Sequence, residues 1–507
     1  MKYKIFVYII PLALMMQPPA FPQAQAEELT TEQKLLQVMH SISSLTLYHY
    51  VEELASEKYG GRLTGTEGFY KSAQRVSRHF EKWGLIPAGD NNTYLQAFPN
   101  PYTLVFEDCY LHMHIPVQGD TVIKDYRYEE EFIPGSTSGS GKVTAEVVYV
   151  GYGISAPELG FDEYAGVDVK GKIVLMEPEA PVNPYQDPEV FMDWRPYSFH
   201  QYKLKNAAAH GAKGMIYNYH ITNPNNAYIE DFIYTHIGEA VVRDIFAGTG
   251  KEHKNVVKSI RSSLKPQSFP TGKNFTIKNT TEHHPEGIGY NVLAAIPGSG
   301  REMKNEVILI GGHLDHLGRC YEMMPGANDN ASGVAVMMGL AEALMKSPVR
   351  PKRTILFNCF GAEEQGVAGS DYYVKNPVYP LKNTLCLINM DGVGAGDKLS
   401  VLAAENYPDL WNFLKSANDK YVHRLMIPRS FLNIARPRLD AARFLWAGVP
   451  SVSISAFGTP SYYHVTKDNL DIITPDIMKD LAGILFYSVL EMANQKNLSF
   501  GEGEQNQ

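Results

Sequence analysis

Thr354-Ile355-Leu356-Phe357-Asn358-Cys359-Phe360-Gly361-Ala362-Glu363-Glu364-Gln365-Gly366 is an apolar run that closes on two adjacent acids. The part from Thr354 to Phe360 reads as a strand buried on both faces, and Gly361 marks its end. Two neighbouring carboxylates at the end of such a strand are costly unless something positive or reactive uses them. One can bind a metal while its neighbour works as a base. Taken alone, the pair also fits the solvated opening of a surface helix, so the rest of the chain has to decide.

Working outward, strands and helices alternate from Asn291 onward. Strands are expected at Glu306–Gly311, Thr384–Met390 and Pro450–Ala456, and helices at Gly333–Met345 and Pro475–Asn494. That alternation predicts an α/β fold: a mixed, mostly parallel central sheet with helices on both faces. Residues from about Thr31 to Leu85 read as helical, with Val76, His79, Phe80 and Trp83 on one face and Gly84 as the stop. Between about Val105 and Thr281 the texture changes to short β-rich runs broken by Gly, Pro and Asn, with one clear helix at Tyr202–His210. This predicts a smaller β-rich domain inserted into the larger one. The expected boundaries are a leader over 1–26, the larger domain over 27–104 and 287–498, the insert over 105–286, and a disordered Gly/Glu/Gln-rich tail over 499–507. Thr281–Gly287 reads as the closing linker.

A chain of 507 residues is too long for one ordinary core. Lys2 and Lys4, the apolar run Ile5 to Met16 and the small-x-small Ala24-Gln25-Ala26 read as a signal peptide, placing the protein in a secreted or periplasmic compartment after cleavage near Ala26. The apolar run is too short for a stable membrane span, and no cysteine near it suggests a lipid anchor. A formal net charge of −9 argues against nucleic-acid or anionic-membrane partners. Four cysteines, Cys109, Cys320, Cys359 and Cys386, are too few for a disulfide scaffold, and buried thiols are expected.

The chemistry-bearing residues cluster where strands end. His313-Leu314-Asp315-His316 follows the first expected strand, Glu363-Glu364 the second and Asp391 the third. The last strand leads to Tyr463-His464, and Asp329 lies in the turn-rich Pro325–Gly333 loop. In open α/β sheets, sites form at the carboxyl ends of the strands. Two imidazoles and three carboxylates, His313, His464, Asp329, Glu364 and Asp391, suit a pair of zinc-like ions with one carboxylate bridging. Each residue alone reads more simply as a turn former, a cap or a structural histidine; the joint occurrence points to a metal site.

These runs, with Gly369-Ser370, Asp468 and the N-terminal Arg62-Leu63 and Gly65–Gly68, resemble the zinc-dependent M28 peptidases that carry an inserted protease-associated (PA) domain. Tyr152-Gly153, Asp168–Leu175 and Lys205–Ile216 resemble the PA insert. The resemblance implies two zinc ions per chain. His313 and Asp391 would hold one, Glu364 and His464 the other, and Asp329 would bridge them, with Glu363 as general base. Asp315 would accept the second ring N–H of His313. By the same pattern His316 is not a required ligand and reads as an outer-shell or structural residue. Two departures stand out. Asp391 is followed by Gly392-Val393-Gly394, and the family's Ser-Asp-His run is replaced by Leu439-Asp440-Ala441. The usual oxyanion-stabilising Tyr has no match, which leaves Tyr463 and Arg438 as candidate donors. Arg436, Arg438 and Arg443 form a basic cluster that reads as a salt-bridged face or as a binder of substrate carboxylates.

The expected activity is therefore that of a secreted aminopeptidase acting on peptide substrates. Rival readings are a carboxypeptidase acting on acidic C-termini, a glutaminyl cyclase-like acyltransferase with one zinc, and a non-catalytic receptor-like binding protein.

Overall fold

A computed structural model describes residues 29–224, 227–431 and 439–501, along with Met1, Tyr3 and Lys4. The body of the expected leader, together with Arg436 and Arg438, lies outside the described residues. The central sheet has nine strands, in the order Ile86–Pro87, Ile288–Ile296, Thr354–Phe360, Val307–His313, Thr384–Met390, Ser451–Phe457, Lys398–Leu402 and Met426–Arg429, with Leu95–Pro99 also paired to Ile288–Ile296. The four strands from Thr354–Phe360 to Ser451–Phe457 run parallel. His313 lies opposite Phe360 in register, so the polar residues that follow these strands leave the sheet along one edge.

Burial on both faces explains why these strands are largely apolar. Ile308 and Ile310 pack with Val334, Met337 and Leu340 of the helix Gly333–Lys346 and with Leu481 and Ile484 of the helix Pro475–Asn494. Val307 and Leu309 face the other way, onto Tyr373 and Phe444. Both faces of the sheet are thus covered by helices, as a parallel sheet requires. The expected Pro475–Asn494 helix is buried nearly all round and serves as a core helix. Among the described residues no helix is long and apolar enough to cross a membrane. All four cysteines are buried and free.

The residues between form a second, eight-stranded sheet in the order Asp120–Asp125, Tyr110–Val117, Phe269–Asn279, Gly141–Tyr149, Ile173–Met176, Gly214–Tyr217, Ile233–Ile237 and Phe132–Pro134. Helices here outnumber the one expected: Pro188–Trp194, His200–Ala209, Glu239–Phe246 and His253–Ser263. Two of them announce no apolar stripe: Pro188–Trp194 buries only Phe191 and Trp194, and His253–Ser263 only Val256 and Ile260. Thr281–His284, expected as linker, is a strand paired antiparallel to Tyr102–Val105, with Val105 opposite Thr281. The entry and exit of the insert are therefore zipped together, and Cys320 joins the same small sheet beside Val105. Of the tail expected to be disordered from Ser499, Phe500 packs into the main core against Phe413, and residues 502–507 lie outside the described residues.

Candidate metal centre

The turn that follows Phe360 is fixed by its neighbours. The Gly361 N–H donates to Asn291 Oδ1 at 3.1 Å, and the Ala362 N–H donates to Thr64 Oγ1 at 2.8 Å. The next two amides, of Glu363 and Glu364, both donate to the Asp315 carboxylate at 3.2 Å. Asp315 thereby aims both glutamates. Its own distance to His313 Nδ1 is 3.6 Å, beyond hydrogen-bond reach, so its main partners are main-chain amides rather than the imidazole expected from the sequence.

Asp329 is set by a mesh of main-chain bonds. Asp468 accepts the Asn328 and Asp329 amides at 2.8 and 3.0 Å. Asn328 Oδ1 accepts from Gly394 and Ala395 at 2.8 and 2.9 Å, and Asn330 Nδ2 donates to the Met390 carbonyl at 2.8 Å. The unusual Gly392-Val393-Gly394 run thus supplies amides that tie the Asp391 turn to the Asp329 loop. Gly326 opens that loop with φ at +56°, and a Cβ there would lie 2.4 Å from His316 Cγ, so no larger residue fits.

Arg62 holds the same loop from beneath. It is wholly buried and donates to the carbonyls of Leu54, Leu314, Pro325 and Gly326 at 2.6 to 2.9 Å. Burial pulls its guanidinium down to about 10, while Asp468, Asp315, Asp329 and Glu364 oppose the shift.

The structure brings His313, Asp329, Glu364, Asp391 and His464 together. His313 Nε2 lies 3.2 Å from Asp329 Oδ1 and 3.5 Å from Asp391 Oδ1. His464 Nε2 lies 2.9 Å from Glu364 Oε2 and 3.6 Å from Asp329 Oδ2. The two oxygens of Asp329 therefore face different imidazoles. Glu363 belongs to the same cluster, with a donor oxygen within 4.8 Å of donors from His313 and Glu364. His316 is nearer than its sequence position suggests: its Nδ1 is 2.8 Å from Glu364 Oε1, and its ring stands edge-on to His464. Tyr463 stacks on His464 with ring centroids 3.7 Å apart and is 56% exposed. Arg443 pairs with Asp371 at 3.3 Å and lies over Trp446, so it is already engaged; Arg438 is not among the described residues.

The electrostatics match this crowding of acids. Burial disfavours charge on His464, but Glu364 and Asp329 outweigh it and raise the imidazole to about 9. Burial likewise opposes ionisation of Glu364, and His464 and His316 reverse it, holding the carboxyl well below its usual range. Burial drives Glu363 well above the ordinary carboxylate range and Asp440 up to about 7. The cluster demands positive charge and takes it from protons on its histidines. A divalent cation meets the same demand, and a donor set of imidazole nitrogens and carboxylate oxygens suits one. The buried Nε2 of His464, though close to Glu364 and Asp329, is not aligned for a hydrogen bond to either. The residues present therefore fit a metal centre.

Sequence reasoning missed the anchoring roles of Arg62, Asn328 and Asn330 and the proximity of His316. The two glycines before Arg62 and the Asn-Asp-Asn run were available signals.

Residues 291–489 match the family model described as Peptidase family M28, and residues 143–242 match that of the PA domain. A vacuolar membrane protease of Lodderomyces elongisporus is 24% identical over 44% of this chain, and an aminopeptidase of Pseudomonas aeruginosa is 26% identical over 68%. The matched regions span 23% and 56% of those two proteins. Among solved structures, an aminopeptidase from Aneurinibacillus sp. strain AM-1 shares the fold, with a TM-score of 0.63 and 21% identity over 93% of this chain and 97% of that one. Residues 291–489 are thus an M28 peptidase region, and residues 143–242, ahead of it in the chain, are a PA domain.

Proposed function

We propose that the protein is a secreted two-zinc aminopeptidase that releases residues from peptide N-termini. The observation that carries this reading is the placement of Asp329, with one oxygen toward His313 and Asp391 and the other toward His464 and Glu364. His313 and Asp391 would hold one ion, Glu364 and His464 the second, and Asp329 would belong to both. Zinc, when bound, supplies Lewis acidity that polarises the peptide carbonyl and lowers the pKa of water. Glu363 takes the proton of the attacking water and passes it to the leaving amine. The Asp315 carboxylate keeps that glutamate aimed through the Glu363 amide. His316 donates to Glu364 Oε1, which orients the carboxylate rather than adding a ligand. Tyr463, beside His464, remains the candidate oxyanion donor among the described residues.

The names of the Pseudomonas and Aneurinibacillus relatives support the aminopeptidase reading, and Arg443, paired with Asp371, is not a free binder of substrate carboxylates. The first test is metal content beside a substrate panel. Purified protein is expected to hold about two zinc ions per chain and to cleave free aminoacyl substrates in a chelator-sensitive manner. Cleavage of N-blocked peptides alone would overturn the aminopeptidase assignment, and one zinc with acyl transfer would point to the cyclase. Glu363→Gln is expected to keep its zinc and to lose ~10²- to 10⁴-fold in kcat.

A further inference from the structure

We infer that the PA domain completes the metal centre, acting as a positioning element for His464. Its Thr222 main-chain carbonyl accepts from His464 Nδ1 at 2.7 Å, and the Thr222 amide returns a long bond to the His464 carbonyl at 3.5 Å. Thr222 and His464 are both buried. Two residues on, Glu129, from the turn before Phe132–Pro134 in the same domain, takes two bonds from Thr466. One oxygen accepts the Thr466 amide at 3.1 Å and the other accepts its hydroxyl at 2.6 Å.

The physical consequence concerns the second ring nitrogen. With Nδ1–H spent on a carbonyl, the neutral imidazole keeps its lone pair on Nε2, the atom that faces Glu364 and Asp329. His464 also sits at φ +56°, a left-handed conformation that a β-substituted residue keeps only where its surroundings hold it. On the amino side the preceding loop is exposed, with Tyr462 and Tyr463 at 39% and 56%. The bonds to Thr222 and Glu129 come from the inserted domain, not from the domain that carries the histidine. Domain docking and metal affinity at this half of the site are therefore linked, each favouring the other.

The inference rests on His464 being a ligand, so the test separates the two. In the full chain, Glu129→Ala is expected to release one of two zinc ions to a competing chelator ~10- to 100-fold more readily, with the other ion unchanged. Glu129→Gln, which keeps an acceptor for the Thr466 amide, is expected to restore most of that affinity. Hydrogen exchange supplies a second readout: stripping zinc from the unaltered protein is expected to speed exchange at the Thr222 and Thr466 amides. Wild-type affinity for both ions in Glu129→Ala, equal weakening of both, or unchanged exchange at those amides would each overturn the linkage. His464→Ala tests the underlying assignment separately: loss of one ion upholds the ligand reading, and retention of both removes it.

Discussion

Arg62 is a cation buried from bulk solvent, and its four hydrogen bonds all end on main-chain carbonyls. Lysine keeps the charge but cannot reproduce the planar fork, so carbonyls of the Pro325-Gly326 loop would be left without donors. Arg62→Lys is expected to cost ~2–4 kcal/mol in equilibrium unfolding and to weaken zinc binding, because the same loop carries Asp329. An unchanged denaturation midpoint would show that the fork is dispensable. At this scale the sequence was most informative about side chains that bear chemistry. His313, Asp329, Glu364, Asp391 and His464 stand at strand ends and in a turn, where acids and imidazoles have no structural reason to gather. It was silent on Thr222, because a main-chain carbonyl has no residue signature and its partner lies far along the chain. The contact of His316 with Glu364 was equally hidden, since nothing in the local spacing sets its ring direction.

Among the elements, the four parallel strands were legible because burial on both faces favours long apolar runs. The insert helices Pro188–Trp194 and His253–Ser263 were not, because two buried positions in a helix make no period. The Asp329 loop lies between these cases: its Asn-Asp-Asn run reads as a turn, while its real work is to knit two strand ends. Asn328 Oδ1 alone satisfies the Gly394 and Ala395 amides. Asn328→Ala leaves two buried N–H groups without an acceptor, each costing about 1–3 kcal/mol. Thermal unfolding is expected to begin at a lower temperature, and chelator is expected to strip metal faster than from the unaltered protein. Val393 and Ser332 belong to the same mesh through their 3.0 Å bond, so Ser332→Ala is expected to add a smaller loss.

For the molecule as a whole, pH acts on the PA domain as well as on the catalytic edge. Glu163 is fully buried there, accepting the Tyr152 and Ile154 amides at 2.7 and 3.0 Å, and burial pushes its carboxyl up to about 8. The native chain therefore holds a proton that the unfolded chain gives up near 4.5. This contribution to stability is complete below that value and is lost as pH rises through about 8, with a slope of up to ~1.4 kcal/mol per pH unit. Denaturant melts between pH 6 and 9 are expected to show the decline, and Glu163→Gln is expected to flatten it; parallel curves would remove Glu163 as the cause. The adjoining ends of the insert have a different consequence, for ancestry. Val105 and Thr281 already lie side by side as strand partners, so a gene segment of any length can enter or leave the lineage at that seam without shifting a core strand by one residue. A descendant that discarded the segment would keep its sheet and the acids clustered at the sheet's edge, Glu363 among them. It would inherit a histidine still stacked on Tyr463 but with no carbonyl for its Nδ1, and selection would then have to recruit a new acceptor for that nitrogen.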